Sequence, residues 1–455
     1  MFTSQLYSFD SCRLEGNAIL VTENKAITEY RLIKKGIWAY FILLILEGAL
    51  RKWAFPSLAT PLLVVRDPIA IWLVLLAWKN GLLPLSAILT LIILIGIIGI
   101  YTAVFTGHGS LPVAFFGARI LLFHFPLMYV IGSVFSREDV IKLGKVLLLL
   151  SIPMAILITL QFFSPQSAWV NKGIGGEGSG GFSGANGYYR PPATFSFTNG
   201  TSLFFAFAGS YLFYFWLNLK RINSFLLFGA SIALLIAIPF SISRGLLFHV
   251  SVTLIFAILA IFRKPKFMGK MMIIGFLLIA VISFLSKYSF FQTATEAFTA
   301  RFEHANDAEG GLNGVLADRY LGGMIGALNE SSNYPFFGYG IGMGTNVGSM
   351  LLSGQRTYLI AEGEWGRLIG ELGFLMGLFV ILIRLGFSLR IALASYVKLV
   401  QGDLLPWMLL SFGLLTIPQA QWAQPTALGF STLIGGLILA SVKKDDRSTQ
   451  QESIN

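Results

Sequence analysis

Long apolar stretches separated by short polar ones dominate this chain. A helix that spans a bilayer needs roughly 20 apolar residues, and about twelve segments meet that requirement. The first runs from Gly36 to Trp53, and the second from Pro61 to Trp78, leaving at Lys79. The third covers Leu83 to Phe105 and the fourth Leu111 to Phe135. The fifth ends near Phe163. The sixth covers Thr201 to Leu219 and the seventh Phe225 to Phe240. The eighth reaches Phe262 and the ninth ends near Leu285. The tenth runs from Glu362 to about Leu385, and the last two flank a turn from Pro418 to Pro425. The pattern predicts an all-α integral membrane protein.

Basic residues then orient the segments. The tail 1–35 carries Lys25, Arg31, Lys34 and Lys35. Arg137, Lys142 and Lys145 follow the fourth span, and Lys220-Arg221 the sixth. Arg263, Lys264, Lys266 and Lys270 follow the eighth, and Arg390 and Lys398 the tenth. The tail 443–455 opens with Lys443 and Lys444. Lys/Arg bias in short loops marks the cytoplasmic side. All these clusters fall on one side, so both tails are expected in the cytoplasm, flanking a polytopic domain 36–442. Two long polar stretches then face outward, 164–199 and 286–361, the larger one lying between spans nine and ten. No internal repeat or inverted half is visible, which weighs against a rocking transporter.

Composition sharpens this picture. Hydrophobic residues make up 55% of the chain and charged residues only 12%, about half the charged share of a soluble domain. Mean hydropathy is +0.73. The 48 glycines and 40 phenylalanines fit helices packed in lipid, where small residues allow close approach. The net charge of +11 is spread over short loops and reads as orientation, with no nucleic-acid partner implied. Cys12 is alone, which excludes an internal disulfide. The histidines, His108, His124, His249 and His304, show no metal-ligand spacing. The polar N-terminal stretch lacks the apolar core of a cleavable signal peptide.

Candidate chemistry gathers in the stretch from Ala317 to Gly373. It holds Arg319 on a short amphipathic segment and a glycine-rich turn, Gly338-Tyr339-Gly340-Ile341-Gly342-Met343-Gly344. It ends in Glu362, Glu364, Arg367 and Glu371, which run straight into the tenth span. Polar groups at the mouth of a membrane helix are costly and usually functional. Glu364, Arg367 and Glu371 line one helix face, either as a self-neutralising stripe or as site-shaping groups. Glu362 lies on another face, as a general base or as a carboxylate near a helix N-terminus. The glycine turn lacks the Lys-Ser/Thr of a P-loop; it lets backbone pack under a lipid headgroup or on a neighbouring helix. The glycines from Gly173 to Gly187 read as a mobile loop.

Arginines are frequent on the outer side: Arg51, Arg66, Arg190, Arg244, Arg301, Arg319, Arg356 and Arg367. Guanidinium offers a rigid fork of donors suited to phosphate oxygens. Arg51, four residues after Glu47, and Arg66, beside Asp67, read as structural pairs. Arg190, Arg244 and Arg319 have no local carboxylate, and stand as helix-end anchors or as anion ligands.

The order of these motifs resembles the O-antigen ligase and O-antigen polymerase superfamily. The residues that carry the resemblance are Arg190-Pro-Pro-Ala-Thr194-Phe195, then Ser243-Arg244, then the Arg319 segment leading to Pro335-Phe-Phe-Gly338-Tyr339-Gly340, then Glu371-Leu-Gly373. They cover the chain from Tyr189 to Gly377. The resemblance implies a C-type glycosyltransferase fold with its site on the outer face of the bacterial plasma membrane. It implies a glycan donor on undecaprenyl pyrophosphate, a sugar or lipid-linked sugar acceptor, and neither metal nor cofactor. Carried over by motif, Arg190, Arg244 and Arg319 would hold the pyrophosphate. Tyr339, Glu364, Arg367 and Glu371 would shape the glycan site. Where the ligases carry His-Asn ahead of the Glu-x-Gly, this chain has Glu362-Gly363. Glu362 would take the base role, which favours a polymerase over a ligase. Other glycan-assembly proteins are expected partners. The alternatives are a transporter or flippase for lipid-linked or anionic cargo, and a membrane scaffold; candidate charges at one surface favour the enzyme.

Overall fold

In the computed structural model, which describes residues 28–84, 86–263, 268–309, 323–330, 334–355 and 359–443, each predicted apolar stretch is helical. Helix α1, residues 28–49, runs into one π turn, Leu50–Ala54. Short turns lead to α2 (Asp67–Lys79), then α3 (Ala87–Phe105). Next come α4 (Leu111–Arg119) and α5 (Phe125–Val134), joined through a π turn at Ile120–His124. Then follow α6 (Arg137–Phe163), α7 (Thr198–Leu217), α8 (Ser224–Phe240) and α9 (Arg244–Arg263). Helix α10 (Met268–Leu285) turns sharply into α11 (Ser289–Glu309). The stretch 286–361, expected as a long loop, therefore opens with a helix and also holds α12 (Gly323–Glu330) and α13 (Asn346–Ser353). The chain closes with α14 (Glu364–Gln401), α15 (Leu405–Thr416) and α16 (Pro425–Val442). Eight helices among the described residues are long and apolar enough to cross a membrane, or nine if the bent pair Gly275–Leu285 and Ser289–Glu303 is one span.

Side-chain bonds define the two ends of the bundle. At one end Lys34 pairs with Asp139 at 2.5 Å, Arg221 with Glu138 at 2.7 Å, and Arg137 with Asp403. Ser136 and Asp139 close a capping box at the start of α6 there. This is the end rich in Lys and Arg. The other end carries the long polar stretches. There Lys52 donates to the Ala193 carbonyl at 2.5 Å, and the Trp53 and Trp169 rings stack at 5.5 Å.

Helix α7 is the hub, packed against α9, α15 and α8. Nearly every one of its residues is buried, as expected of a helix apolar all round. Helices α5 and α16 pack together beside it. By contrast α3 and α9 expose large apolar side chains such as Leu91, Leu94, Ile255 and Leu259, the face such helices turn to lipid.

Arg51 pairs with Glu47 at 3.3 Å, as the i,i+4 spacing predicts. Arg66 does not pair with its neighbour. It bonds Glu47 at 3.2 Å, while Asp67 accepts from Arg119 and meets His124, each at 2.9 Å. Adjacent residues at a helix start point in different directions, so sequence neighbours do not meet.

Helix α14 is broken at Gly373, where φ is +77°. The break deprives the Gly370 and Glu371 carbonyls of helical partners. The glycine turn supplies them: Tyr339 N–H donates to Gly370 O at 2.8 Å and Gly340 N–H to Glu371 O at 3.0 Å. A Cβ on Gly373 would strike the Phe336 carbonyl. Gly373→Ala is expected to lose at least ~1–2 kcal/mol from the left-handed backbone alone. Its melting temperature in detergent checks this; a wild-type value would mean the turn does not fix the break.

Candidate functional site

The candidate site forms where the loop after α6 meets the first turns of α7 and α9. A two-residue hairpin, β1 (Phe182–Ser183) and β2 (Tyr189–Arg190), ends on Arg190. The residues after it are anchored. Ala193 N–H donates to Gln161 Oε1 at 2.8 Å, Thr194 Oγ1 donates to the Ile45 carbonyl at 2.7 Å, and Phe195 is buried in the core. The Arg-x-x-x-Thr-Phe segment is thus fastened to the bundle through Ala193, Thr194 and Phe195.

The turn between α8 and α9 is equally constrained. Ile242 is fully buried with φ +46°, a conformation that costs a β-branched residue about 1–3 kcal/mol. Ser243 caps α9, its Oγ accepting from Leu246 N–H at 3.3 Å and from the Ser202 hydroxyl at 2.6 Å. Arg244 then stands at the first position of α9. A cation there works against the helix dipole by ~0.3–1 kcal/mol. An anion at the same place would reverse that sign.

These pieces enclose a cavity of about 220 Å³ lined by Arg190, Asn199, Ser202, Ser243, Arg244, His249 and Arg301, with Leu203, Ile242 and Gly245. The volume is below the ~300–1,000 Å³ of most ligand pockets and suits a compact charged group. Arg190, Arg244 and Arg301 are all half-buried. Two helix N-termini, of α7 and α9, meet at the cavity; such termini attract anions. Among the described residues no carboxylate lines it. The arrangement offers positive charge and hydrogen-bond donors of the kind that bind anions.

Two of the three sequence-predicted pyrophosphate ligands, Arg190 and Arg244, therefore meet in one cavity. Arg319 lies outside the described residues. Arg301, one of the outer-side arginines, joins them from α11. His249, Ser202 and Asn199 were not singled out by sequence. Their signal was polar residues at the starts of apolar helices, with Gly245 and His249 one turn apart.

Glu362 lies elsewhere. It is exposed, beside a narrow cleft with Glu364 and Arg367, and its backbone carbonyl accepts from Gln421 Nε2 at 2.7 Å. Glu364, Arg367 and Glu371 are buried and bonded to one another. Arg367 donates to Glu364 at 3.0 and 2.9 Å and to Glu371 at 2.5 Å. Glu371 also accepts from Gly344 N–H at 2.8 Å, tying the glycine turn to α14. Arg384, missed by sequence reasoning, completes the cluster at 2.6 Å from Glu364. It also donates to the Ile417 and Ala420 carbonyls at 2.9 and 3.0 Å and lies 3.7 Å from the Trp422 ring. The signal for it was a charge inside an apolar run, Ile383-Arg384-Leu385. The cluster sums to zero charge and holds the tenth span's mouth to α15 and the turn before α16.

Tyr339 is half-exposed, 5.8 Å from the Tyr334 ring. His108 ties its turn to α3: His108 N–H donates to Tyr339 O at 3.1 Å, and Nε2 lies 3.2 Å from Ile341 O. The glycine turn packs on neighbouring helices. Among the described residues no group of His, Cys, Asp and Glu could hold a metal ion.

Comparison with protein-family models, curated proteins and solved structures returns no match to this chain.

Proposed function

We propose that this multi-pass membrane protein is a glycosyltransferase that takes glycan from an undecaprenyl-pyrophosphate carrier and joins it to a sugar acceptor. Polymerisation of O-antigen or exopolysaccharide is favoured over ligation. In this reading twelve segments cross the bacterial plasma membrane, both tails are cytoplasmic, and the arginine cavity opens on the outer face. The observation that carries it is the cavity itself. Three guanidiniums and two helix N-termini converge there, and among the described residues no carboxylate lines it, an arrangement that suits a diphosphate. The ordered motifs around Arg190, Ser243-Arg244 and Glu371-Leu-Gly373 support the same reading.

The chemistry follows from electrostatics. The guanidiniums hold the diphosphate and stabilise the charge that grows on it as the anomeric C–O bond breaks. The acceptor hydroxyl attacks from the opposite face, with inversion. Water is the competing acceptor, so closure of the surrounding loops protects the donor. Glu362, exposed beside the α14 mouth, orients the acceptor sugar.

A gel profile of lipid-linked and surface glycans tests this in a strain lacking the gene, complemented with wild type or Arg190→Ala. Single repeat units in the deletion, with a ladder restored by wild type alone, identify a polymerase. Long chains stranded on the lipid carrier identify a ligase. An unchanged profile removes the reading.

The 104° bend between Gly275–Leu285 and Ser289–Glu303 favours a second reading, a transporter or flippase for lipid-linked or anionic cargo, since broken helices line transport sites. Substrate-dependent transport into vesicles, with glycan length unchanged, would establish it.

A further inference from the structure

The geometry points to His249 as the group that takes the proton from the attacking hydroxyl, an assignment that deepens the transfer reading above and rests on it. His249 sits one turn into α9. Its Nδ1 lies 2.7 Å from the Gly245 carbonyl. A carbonyl only accepts, so Nδ1 carries the hydrogen and the tautomer is fixed. Nε2 is then the lone-pair nitrogen of the neutral ring. It is shut off from solvent and has no hydrogen-bond partner among the described residues.

A buried polar atom left unsatisfied costs ~1–3 kcal/mol. Packing does not explain why the chain keeps one here. The ring lines the same cavity as Arg190, Arg244 and Arg301, and the Phe412 ring of α15 lies 5.9 Å away. Among the described residues, the charged groups lining the cavity with it are those three guanidiniums: Arg190 from the loop, Arg244 from its own helix and Arg301 from α11. Helix α7 contributes Asn199, Ser202 and Leu203, none of which titrates. The cavity therefore holds several donors and one unengaged basic nitrogen. A hydroxyl group is the ligand that such a nitrogen accepts from.

The step balances. The acceptor oxygen forms its bond to the anomeric carbon. The bond from that carbon to the diphosphate oxygen breaks, and its electron pair leaves on the diphosphate. The hydroxyl proton passes to Nε2, and the imidazolium releases it to water that enters the cavity once the products have left. Glu362 does not line this cavity, which separates its acceptor-orienting role from proton transfer.

The test uses the purified full-length protein in liposomes, with an undecaprenyl-pyrophosphate-linked repeat unit as donor and acceptor. Chain growth is followed against pH for wild type, His249→Gln, His249→Asn, His249→Gly and Glu362→Gln. Asparagine keeps an amide near the Nδ1 position and preserves the bond to Gly245, so it controls for folding. The Gln and Asn variants are expected to lose kcat by ~10²–10⁴-fold, with KM little changed. The fall of wild-type kcat toward acid pH, where a base is protonated, is expected to vanish in them. Added imidazole is expected to restore part of the rate of His249→Gly. Wild-type kcat in the Gln and Asn variants overturns the assignment. So does a lowered kcat that keeps the acid limb and is not rescued, or an acid limb lost in Glu362→Gln instead. Wild-type vesicles that leave the donor unextended overturn the polymerase reading, and the role of His249 in it.

Discussion

Replacing Arg244 by alanine is expected to slow glycan transfer by ~10²–10³-fold, the scale seen when a preorganised donor to a developing negative charge is removed. Ser243 caps α9 and is held by Ser202, which fixes the first turn. Arg244 follows immediately, where the helix dipole opposes a cation. In the proposed reading a diphosphate bound beside Arg190 and Arg301 would turn this placement to advantage. Arg244→Lys keeps the charge and loses the planar fork, so an intermediate rate is expected. Transfer rates in liposomes measure both. An Arg244→Ala protein that transfers at the wild-type rate would show that the cavity is not the donor site.

The second large effect concerns folding. Arg384→Leu is expected to cost ~3–5 kcal/mol, the range for breaking a buried ion pair from one side. The buried cluster of Glu364, Arg367, Glu371 and Arg384 would pass from neutral to a net negative charge. The Ile417 and Ala420 carbonyls would lose their donor, and Trp422 its stacked guanidinium. The expected readout is a large fall in melting temperature or a loss of folded protein on gel filtration. Adding Glu364→Gln to Arg384→Leu restores neutrality, because Arg367 and Glu371 still pair at 2.5 Å. Partial recovery is therefore expected, incomplete because the two carbonyls stay bare. A double variant no more stable than the single one would show that charge balance is not what the cluster provides.

The elements themselves were legible in the sequence. The ends of α3, α6, α8 and α9 lie within a few residues of the expected boundaries, since helix length in lipid follows directly from a run of apolar residues. The tenth helix was expected to end near Leu385 and extends to Gln401, because Arg390 and Lys398 read as a loop signal. Long basic side chains at a helix end can instead reach out along the helix surface. Arg190 and Arg244 were visible as arginines lacking a local carboxylate. That the chain would set them beside Arg301 and His249, and set Glu362 apart, was not visible.

By itself, the sequence determined the quantities that depend on neighbours a few residues away. These are the apolar runs that become helices, the gathering of Lys and Arg at one end of the bundle, the Glu47–Arg51 pair and the facing of Glu364, Arg367 and Glu371. Each is a matter of helical period or of charge in a short loop. Only the tertiary structure decided which arginines share a cavity, that Arg384 closes the α14 cluster, and that the glycine turn satisfies the carbonyls bared at Gly373. Those outcomes join residues far apart in the chain through the packing of α7, α9, α11 and α14. Close packing in three dimensions, which leaves no periodic trace in the sequence, selects such partners.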